Sequence, residues 1–484
     1  MRRINLPFVG SIVGGICLIE CIFLFLSIVV SLIMRDYTVV PLLVTLGIAL
    51  LVGIVLLLCG RLKHSDKLGR REAMLAVSMT WLVVALIGMI PFLVGGYLPR
   101  FSNAFFESVS GFTTTGASAF TSVEHLPKGI LFWRSIIQWQ GGIGIVVFSL
   151  ALSPVLGKDI GLLYQAEVTG VDHDRFMPRI KEVAIRLAAV YTLLTIVLIL
   201  LLRLTPIPLF DATCMAFTCL STGGFSIYDQ PFEVINSPYF ETILMIFMVI
   251  GSLNMTLIYF AFKGQVKQLF KDEQTRWFLG IILVTATLVT LHLVISQIQP
   301  HLGKAIRDAF FQIISLISTT GYVYADYGSW GPFFMLCGIF VMLICGCAGS
   351  TAGGLKVIRF VIMSKTLPKE IAHRVSPSLV APLRINGKSV PDEVVYKVMG
   401  FFFGYIALIF LGTFCLTFTG NDFISASTAS VTAIGNVGPA FGDYVFNFSS
   451  ASSFDLFVLS FLMLAGRLEL FTVLSLFAPA FWRR

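Results

Sequence analysis

Four similar strings of small and hydroxyl-bearing residues recur along the chain at comparable spacing. They read Thr113-Thr114-Thr115-Gly116-Ala117, Ser221-Thr222-Gly223-Gly224-Phe225, Ser318-Thr319-Thr320-Gly321-Tyr322 and Ile434-Gly435-Asn436-Val437-Gly438-Pro439. Each string follows an apolar stretch that is too short to cross about 30 Å of hydrocarbon, and apolar segments of spanning length flank each one. Such short stretches are typical of re-entrant helices. The pattern predicts four copies of one unit: a helix, a short helix with a loop, and a second helix.

The composition places the chain among membrane proteins. Of its 484 residues, 57% are hydrophobic and only 12% are charged, about half the charged fraction of soluble proteins. About ten apolar segments have spanning length, near residues 8–33, 39–60, 73–98, 130–156, 185–204, 239–262, 277–297, 332–363, 395–419 and 454–481. The short stretches lie near residues 103–114, 210–221, 308–319 and 422–434. We expect an all-α polytopic membrane protein with four repeats around one pore.

The repeats divide the chain into five parts. Two extra transmembrane helices occupy residues 1–72. The pore repeats follow as residues 73–184, 185–276, 277–394 and 395–484. The first apolar segment begins like a signal peptide, but it is too long for an h-region and lacks a small-residue cleavage site. We therefore interpret it as a transmembrane helix.

The formal net charge of +8 follows the positive-inside rule. With the N-terminus inside, most basic residues fall in inside segments: Arg2 and Arg3, Arg61 to Arg71, Lys158 to Arg186, Lys263 to Arg276, Lys365 to Lys397, and Arg483 with Arg484. A minority, including Arg35 and Arg100, lie at the other face. Because the charge is spread over short loops and not clustered on one surface, the sequence predicts cytoplasmic termini and no nucleic-acid partner.

The four loops have the chemistry of a cation pathway. Backbone in a membrane needs protein or water around it, so four glycine-containing loops at equal depth indicate a shared lumen. Carbonyl oxygens facing a lumen can replace the water shell of a cation, and glycine permits the close approach. The predicted N-caps of the short helices are Asn103, Asp211, Asp308 and Asp422. The negative C-terminal ends of these helices then face the lumen. One Thr-Thr-Gly is more typical of a tight helix contact, whereas four copies favour a pore.

Two further features lie within apparent membrane spans. Glycine and other small residues from Cys345 to Gly354 break the second helix of the third repeat after Leu343. Backbone groups that lose their helical hydrogen bonds in a membrane need other partners within the protein, unless the break serves a function. Arg467 lies inside the last spanning segment, and an isolated charge there is a functional candidate. The alternative is a structural partner for Glu469 or for a helix carbonyl.

Other kinds of site are less well supported. The nine cysteines show no disulfide or zinc spacing, and Cys345-Gly-Cys347 fits a tight backbone site better than a soft-metal site. The stretch from Gly349 to Lys356 departs from a P-loop because Leu355 precedes the lysine. Six scattered histidines do not form a catalytic cluster, so we expect no enzyme. Secondary transport by alternating access stays open, although such folds usually carry inverted or twofold repeats.

Several strings carry a family resemblance: Phe105 to Ser108 with Thr113 to Gly116, Gln138 to Gly142, Gly346 to Lys356, and Gly466 to Thr472. Over essentially its whole length the chain resembles the Trk/Ktr/HKT superfamily of potassium transporters, most closely the membrane subunit of the bacterial Trk system. The resemblance implies potassium uptake across the bacterial inner membrane, with potassium as the transported ligand and no tightly bound cofactor. Potassium–proton or potassium–sodium symport by alternating access is the alternative.

The resemblance also implies roles for individual residues. The implied potassium filter comprises Thr114, Thr115, Gly116, Ser221, Thr222, Gly223, Thr319, Thr320, Gly321, Asn436, Val437 and Gly438. The fourth loop departs from the Thr/Ser pattern at Asn436 and Val437. The implied intramembrane gate comprises Gly346, Gly349, Gly353, Gly354 and Lys356. The resemblance also places Arg467 just below the filter, in contact with this gating loop.

Partners follow from the resemblance as well. The family's regulatory subunit is a separate soluble nucleotide-binding protein of the RCK type, and the membrane subunit is a homodimer. The basic segment from Lys365 to Lys397 is a candidate docking site for that subunit. The same charges equally fit topology signals or contacts with anionic membrane lipids.

Overall fold

The fold is built almost entirely from helices. A computed structural model describes residues 4–61, 69–152, 180–235, 237–376 and 382–482. Within these ranges seven helices are long and apolar enough to cross a membrane, or up to nine if each of two bent helix pairs forms one span. The predicted inside charges at Arg2, Arg3, Arg483 and Arg484, and those at positions 62–68 and 158–179, lie outside the described residues.

The two helices that precede the repeats form a close antiparallel pair. They are α1 (Leu6–Met34) and α2 (Val39–Arg61). Small residues allow the close approach, since a Cβ atom on Gly14 would lie 2.8 Å from the carbonyl oxygen of Gly53. The predicted first transmembrane segment is thus a helix of 29 residues.

The first repeat begins with α3 (Arg70–Gly88) and its short continuation α4 (Ile90–Val94). The short helix α5 (Phe101–Phe112) follows, and after its loop comes α6 (Lys128–Leu152). Helix α6 packs against α1 and against the short helices of the first two repeats. It therefore joins the N-terminal pair to the centre of the molecule.

The second repeat contains a bend that the apolar pattern did not predict. It comprises α7 (Ile180–Arg203), the short helix α8 (Leu209–Leu220), and the pair α9 (Pro238–Ser252) and α10 (Met255–Phe262). The pair is bent by 110° where a single span was expected at 239–262. Asn254 causes a new helix to begin, because its side chain accepts hydrogen bonds from the Thr256 and Leu257 N–H groups. A surface helix, α11 (Val266–Lys271), follows.

The third repeat contains the predicted break. It comprises α12 (Glu273–Ile295), the short helix α13 (Leu302–Ile317), α14 (Gly331–Ile344) and α15 (Val357–Val375). Helix α14 ends one residue after the predicted position. Beyond α15 a small antiparallel hairpin pairs β1 (Arg384–Ile385) with β2 (Lys388–Ser389).

The fourth repeat completes the ring of helices. It comprises α16 (Asp392–Phe418), the short helix α17 (Phe423–Gly435), and the pair α18 (Ser453–Arg467) and α19 (Leu470–Phe477), before a terminal turn of helix, α20 (Pro479–Trp482). The pair is bent by 118°, whereas one span was expected at 454–481. Arg467 is therefore the last residue of a helix at a bend and does not lie in mid-helix.

Three of the four predicted N-caps are wrong. Asp422 does cap its helix, because its carboxylate accepts hydrogen bonds from the Ile424 and Ser425 N–H groups at 2.9 and 3.0 Å. Asn103 and Asp211 lie one turn inside their helices, and Asp308 lies well inside α13, which begins six residues upstream of it. In the first three repeats, the short helix therefore begins earlier than the apolar stretch in the sequence indicated.

Candidate functional site

The four loops share one backbone conformation. Each short helix ends one or two positions before a residue with left-handed φ, and a left-handed glycine follows two positions after that residue. The first members are Thr114, Thr222, Thr319 and Asn436, with φ of 52°, 54°, 58° and 54°. The glycines are Gly116, Gly224, Gly321 and Gly438, with φ of 84°, 69°, 73° and 108°. Four segments of different sequence therefore form the same turn.

This conformation corrects the predicted register of the second loop. The sequence matched Gly223 to the other three glycines, but Gly224 has the left-handed φ. Gly223 instead corresponds to Thr115, Thr320 and Val437, one position earlier. The Gly-Gly pair allowed either alignment from sequence alone.

The loops meet each other in a closed ring. A Cβ atom added to each left-handed glycine would collide with a backbone carbonyl oxygen of the next repeat, which is why only glycine fits. The collisions would be Gly116 with Gly223 O at 2.0 Å, Gly224 with Thr320 O at 1.7 Å, Gly321 with Val437 O at 2.0 Å, and Gly438 with Thr115 O at 2.6 Å. The order runs through repeats one to four and back to one. Four backbone carbonyl oxygens therefore follow one another in a closed cycle, and we call their positions the ring level.

One face of this ring opens into a cavity of about 120 Å³. All four left-handed glycines border it, together with the residues that follow them in each loop, such as Ala117, Phe225, Tyr322 and Pro439. The hydroxyl-bearing residues before the glycines are fully buried. In repeats one and three they form matching pairs, Thr113 with Thr115 at 2.7 Å and Ser318 with Thr320 at 2.8 Å.

The opposite face of the ring is covered by the broken part of the third repeat, residues 345–356, which we call the intramembrane segment. Its irregular backbone is bonded to the bend in repeat two. The Cys347 N–H donates to Ser252 O at 2.9 Å, the Met255 N–H donates to Gly349 O at 3.0 Å, and the Thr351 hydroxyl donates to Gly251 O at 2.9 Å. The bend therefore supplies partners for backbone that a helix would have satisfied internally.

The intramembrane segment also contacts the loops themselves. The Thr351 hydroxyl oxygen also lies 3.1 Å from the carbonyl oxygen of Leu220, the last residue of α8. The Gly353 N–H donates to the Thr319 hydroxyl at 3.1 Å. A Cβ atom on Gly353 would lie 2.5 Å from Gly435 O. The segment thus passes directly beneath the second, third and fourth loops.

Two basic side chains hold this segment. Arg467 is 3% exposed and donates from Nη1 to Thr351 O at 2.8 Å and from Nη2 to Gly141 O at 3.4 Å. Lys356 Nζ donates to Ala352 O within the segment. Glu469 pairs with Arg359 at 2.6 Å, so it is not the partner of Arg467, whereas the other alternative, a helix carbonyl, is present as Gly141 O of α6. Arg467 instead joins repeat four, the segment and repeat one.

The remaining predicted gate residues lie at tight contacts of the same segment. A Cβ atom added to Gly346 would lie 2.5 Å from Ala352 Cβ, and one added to Gly349 would lie 2.8 Å from the Asn254 amide. A Cβ atom added to Gly354 would lie 2.2 Å from Cys345 Sγ. The small residues thus permit close packing. Among the described residues no group of three or more His, Cys, Asp or Glu is placed to hold a metal ion.

Sequence reasoning gave no role to three polar residues behind the loops. Glu107 and Arg134 form a buried ion pair at 2.8 Å. Gln138 donates to Gly223 O at 2.8 Å and accepts from the Phe225 N–H at 3.0 Å. Glu107 and Gln138 belong to strings that carried the resemblance, but a buried polar residue in an apolar helix does not reveal its partner from sequence.

Comparison with known proteins agrees with this architecture. The family profile of TrkH, described as a cation transport protein, matches residues 44–484. The chain is 36% identical over 461 residues to the Trk system potassium uptake protein TrkH of Salmonella typhimurium, and equally to that of Escherichia coli, with 94% of each chain covered.

The fold comparison gives the same result. The crystal structure of the potassium transporter TrkH from Vibrio parahaemolyticus superposes with a TM-score of 0.90 and 32% identity, covering 99% of both chains. Relatives of this coverage are named as transporters and not as enzymes, and their four-repeat fold matches the one described above. The chain belongs to the TrkH family of cation transport proteins.

Proposed function

We propose that the protein takes up potassium through the ring of four loops. The observation that carries this proposal is the closed cycle of contacts between each left-handed glycine and the carbonyl of the next repeat. A ring of carbonyl oxygens can replace the water shell of a dehydrated cation. The two relatives described above are named potassium uptake proteins, which supports potassium as the ion. Potassium is cargo in this account, and no cofactor is needed.

The proposed filter residues follow the structural register. They are Thr114, Thr115, Gly116, Ser221, Thr222, Gly223, Gly224, Thr319, Thr320, Gly321, Asn436, Val437 and Gly438. The carbonyls of Thr115, Gly223, Thr320 and Val437 lie at the ring level and are the proposed ligands. The four short helices end at this level, so their partial negative ends add to the attraction for a cation.

The intramembrane segment is the proposed gate. It covers the ring on the side opposite the cavity and is bonded to the second and third loops, to the bend in repeat two and to Arg467. Conduction requires that it move, because its backbone lies against Leu220, Thr319 and Gly435. Each of its hydrogen bonds is individually modest, worth about 1 kcal/mol net, with more for the one to the charged guanidinium.

We also propose the cellular arrangement that the family implies. The protein spans the bacterial inner membrane with both termini cytoplasmic, forms a homodimer, and binds a soluble RCK-type nucleotide-binding subunit at its cytoplasmic face. A physical link from that face to the gate supports the last point. Asn386 of the hairpin bonds to Asp272 and Glu273 at the start of α12, and neighbouring Gln274 accepts from the Ala348 N–H of the intramembrane segment at 3.2 Å.

The test of potassium uptake is flux in liposomes. Purified protein should carry potassium down a gradient when pH and sodium are equal on both sides, and sodium should be carried far more slowly. Flux that requires a proton or sodium gradient would support symport instead. Adding the soluble subunit should change the flux in a nucleotide-dependent way. Full flux that the subunit and nucleotide leave unchanged would contradict the regulatory proposal.

A further inference from the structure

In three of the four loops, a polar side chain of the preceding short helix forms a hydrogen bond with the loop backbone. In each, an oxygen of that side chain accepts from the N–H five residues after the left-handed residue. The pairs are Glu107 with Ala119 at 2.7 Å, Gln312 with Tyr324 at 3.2 Å, and Thr428 with Phe441 at 3.0 Å. These bonds fix where the loop leaves the ring.

The second loop lacks this arrangement. Glu107 and Gln312 each lie seven residues before the left-handed residue of their loop, and the same position in repeat two holds Met215. A thioether is at most a weak hydrogen-bond acceptor. Asp211 of α8 accepts from the Tyr228 hydroxyl at 2.7 Å but does not bond to the loop backbone, so the backbone of this loop is fixed by other groups.

Helix α6 of the first repeat supplies those groups. Gln138 bonds to both Gly223 O and the Phe225 N–H, as described above. Arg134 Nη1 donates to Ser226 O at 3.0 Å, and its guanidinium lies 4.2 Å from the centre of the Phe225 ring. The two side chains from the first repeat thus bond to the backbone of Gly223, Phe225 and Ser226 in the loop of the second repeat.

Gln138 also explains why the second loop has glycine at the ring level. A Cβ atom on Gly223 would lie 2.5 Å from Gln138 Cδ, so the amide occupies the space of a side chain. The other three loops fill that space themselves, with Thr115, Thr320 and Val437. The amide of Gln138 therefore replaces a missing side chain and holds the ring carbonyl of Gly223 at the same time.

The Glu107–Arg134 pair links the first two loops into one unit. Arg134 is 1% exposed and Glu107 is fully buried. Glu107 holds the first loop through the Ala119 N–H, and Arg134 reaches the Ser118 hydroxyl at 3.2 Å as well as the second loop. A guanidinium can bond to these three partners at once because its donors form a rigid planar fork.

We propose that Arg134 and Gln138 are positioning residues for the second filter loop. By fixing the Gly223 carbonyl in the ring, they contribute to the selectivity for potassium over sodium. This inference rests on the proposed filter function. Neither residue is a proposed ion ligand. Each acts through the backbone of residues 223–226, whose carbonyl at Gly223 is one of the four at the ring level.

The main test replaces Gln138 by an apolar side chain of similar length. Gln138→Met leaves the Gly223 carbonyl and the Phe225 N–H without their partner while keeping the volume. We expect the potassium-to-sodium permeability ratio, measured from reversal potentials in liposomes, to fall about tenfold, the factor for one well-formed hydrogen bond. Ser135→Ala is the matched control, because the Ser135 hydroxyl is equally buried on α6 and donates to Leu131 O of its own helix. Its ratio should be unchanged.

Gly224→Ala, measured in parallel, separates this inference from the filter itself. If Gly224→Ala loses selectivity and Gln138→Met does not, the positioning role is overturned and the filter stands. If neither variant changes the ratio, the filter fails and the inference fails with it. Should Gln138→Met not fold, Gln138→Glu decides, since it keeps an acceptor for the Phe225 N–H but cannot donate to Gly223 O. An unchanged ratio in that variant overturns the proposal.

Arg134→Lys tests the second residue. Lysine keeps the positive charge opposite Glu107, but a single ammonium group cannot reproduce the fork to Glu107, Ser118 and Ser226. We expect a lower permeability ratio in protein that still purifies as a folded membrane protein. A ratio equal to that of the wild type would show that Arg134 only balances a buried charge.

Discussion

Arg467, at the end of α18, donates a 2.8 Å hydrogen bond to the backbone carbonyl of Thr351 in the middle of the intramembrane segment. The same guanidinium reaches Gly141 on α6. One side chain thus connects the first, third and fourth repeats directly beneath the loops. In the proposed pathway, its fixed charge would also lie near a cation that leaves the ring. Under that proposal both properties would favour a closed state.

Arg467→Ala should therefore raise potassium flux without changing ion preference. The variant removes the bond to Thr351 O and a positive charge that opposes a passing cation. We expect flux in liposomes to rise by about tenfold to a hundredfold, since a hydrogen bond to a charged group is worth about 1.5–3 kcal/mol. Arg307→Ala is the control, because Arg307 pairs with Glu241 away from the segment. Lower flux in folded Arg467→Ala protein would show that the arginine is scaffold.

Gly353→Ala should also weaken the closed state. The added methyl group would lie 2.5 Å from Gly435 O and 2.7 Å from Asn436 Cβ, so the segment has to move away from the fourth loop. We expect higher potassium flux with an unchanged potassium-to-sodium ratio. Gly15→Ala is the control, since a Cβ atom there meets nothing within 4 Å. If selectivity changes as much as flux, the segment supports the filter and is not a separate gate.

Serine at Gly224 or Gly438 should allow sodium to compete. Both glycines have left-handed φ, and a Cβ atom would lie 1.7 Å from Thr320 O or 2.6 Å from Thr115 O. The collision displaces a ring carbonyl, so we expect the reversal potential to shift toward the sodium gradient. Gly223→Ser should act through displacement of the Gln138 amide and have a smaller effect. Gly47→Ser on α2 is the control, and equal shifts in all four variants would argue against the ring.

Much of this site could be predicted from the sequence because it depends on repetition. The four loops, the four short helices and the break after Leu343 follow from apolar run length and from glycine placement. The register of the second loop could not be predicted, because Gly223 and Gly224 are equivalent until φ is known. The bend at Asn254 was missed because one asparagine in an apolar run does not show that its side chain caps a new helix. The partners of Arg134 and Gln138 lie in another repeat and depend on tertiary packing.

Asp422 should contribute stability that depends on pH. Hydrogen bonds from the side chain and N–H of Ser425 and from the Ile424 N–H hold its pKa below the ordinary value, so it is ionised and capping at neutral pH. A depressed pKa gives stability that is present above the ordinary value of about 3.9 and is lost as pH falls through the folded-state pKa.

Asp422→Ala should lower the free energy of unfolding by about 1 kcal/mol at pH 7, the typical value of an N-cap. Thermal unfolding in detergent, followed by tryptophan fluorescence, should show this difference shrinking as the pH falls below about 4. Asp422→Asn keeps a capping oxygen without a titrating group, so its stability should follow the alanine variant with a constant offset at all pH values. A difference between wild type and Asp422→Ala that is independent of pH would contradict the assignment.

The position of the bound ion tests the four-loop filter most directly. A crystal of the protein grown with thallium or rubidium in place of potassium can be measured for anomalous scattering. We expect a peak on the axis of the ring, coordinated by the carbonyl oxygens of Thr115, Gly223, Thr320 and Val437, and weakened by an excess of potassium but not by sodium. A ring without a peak, with the ion bound between helices elsewhere, would contradict a four-loop potassium filter.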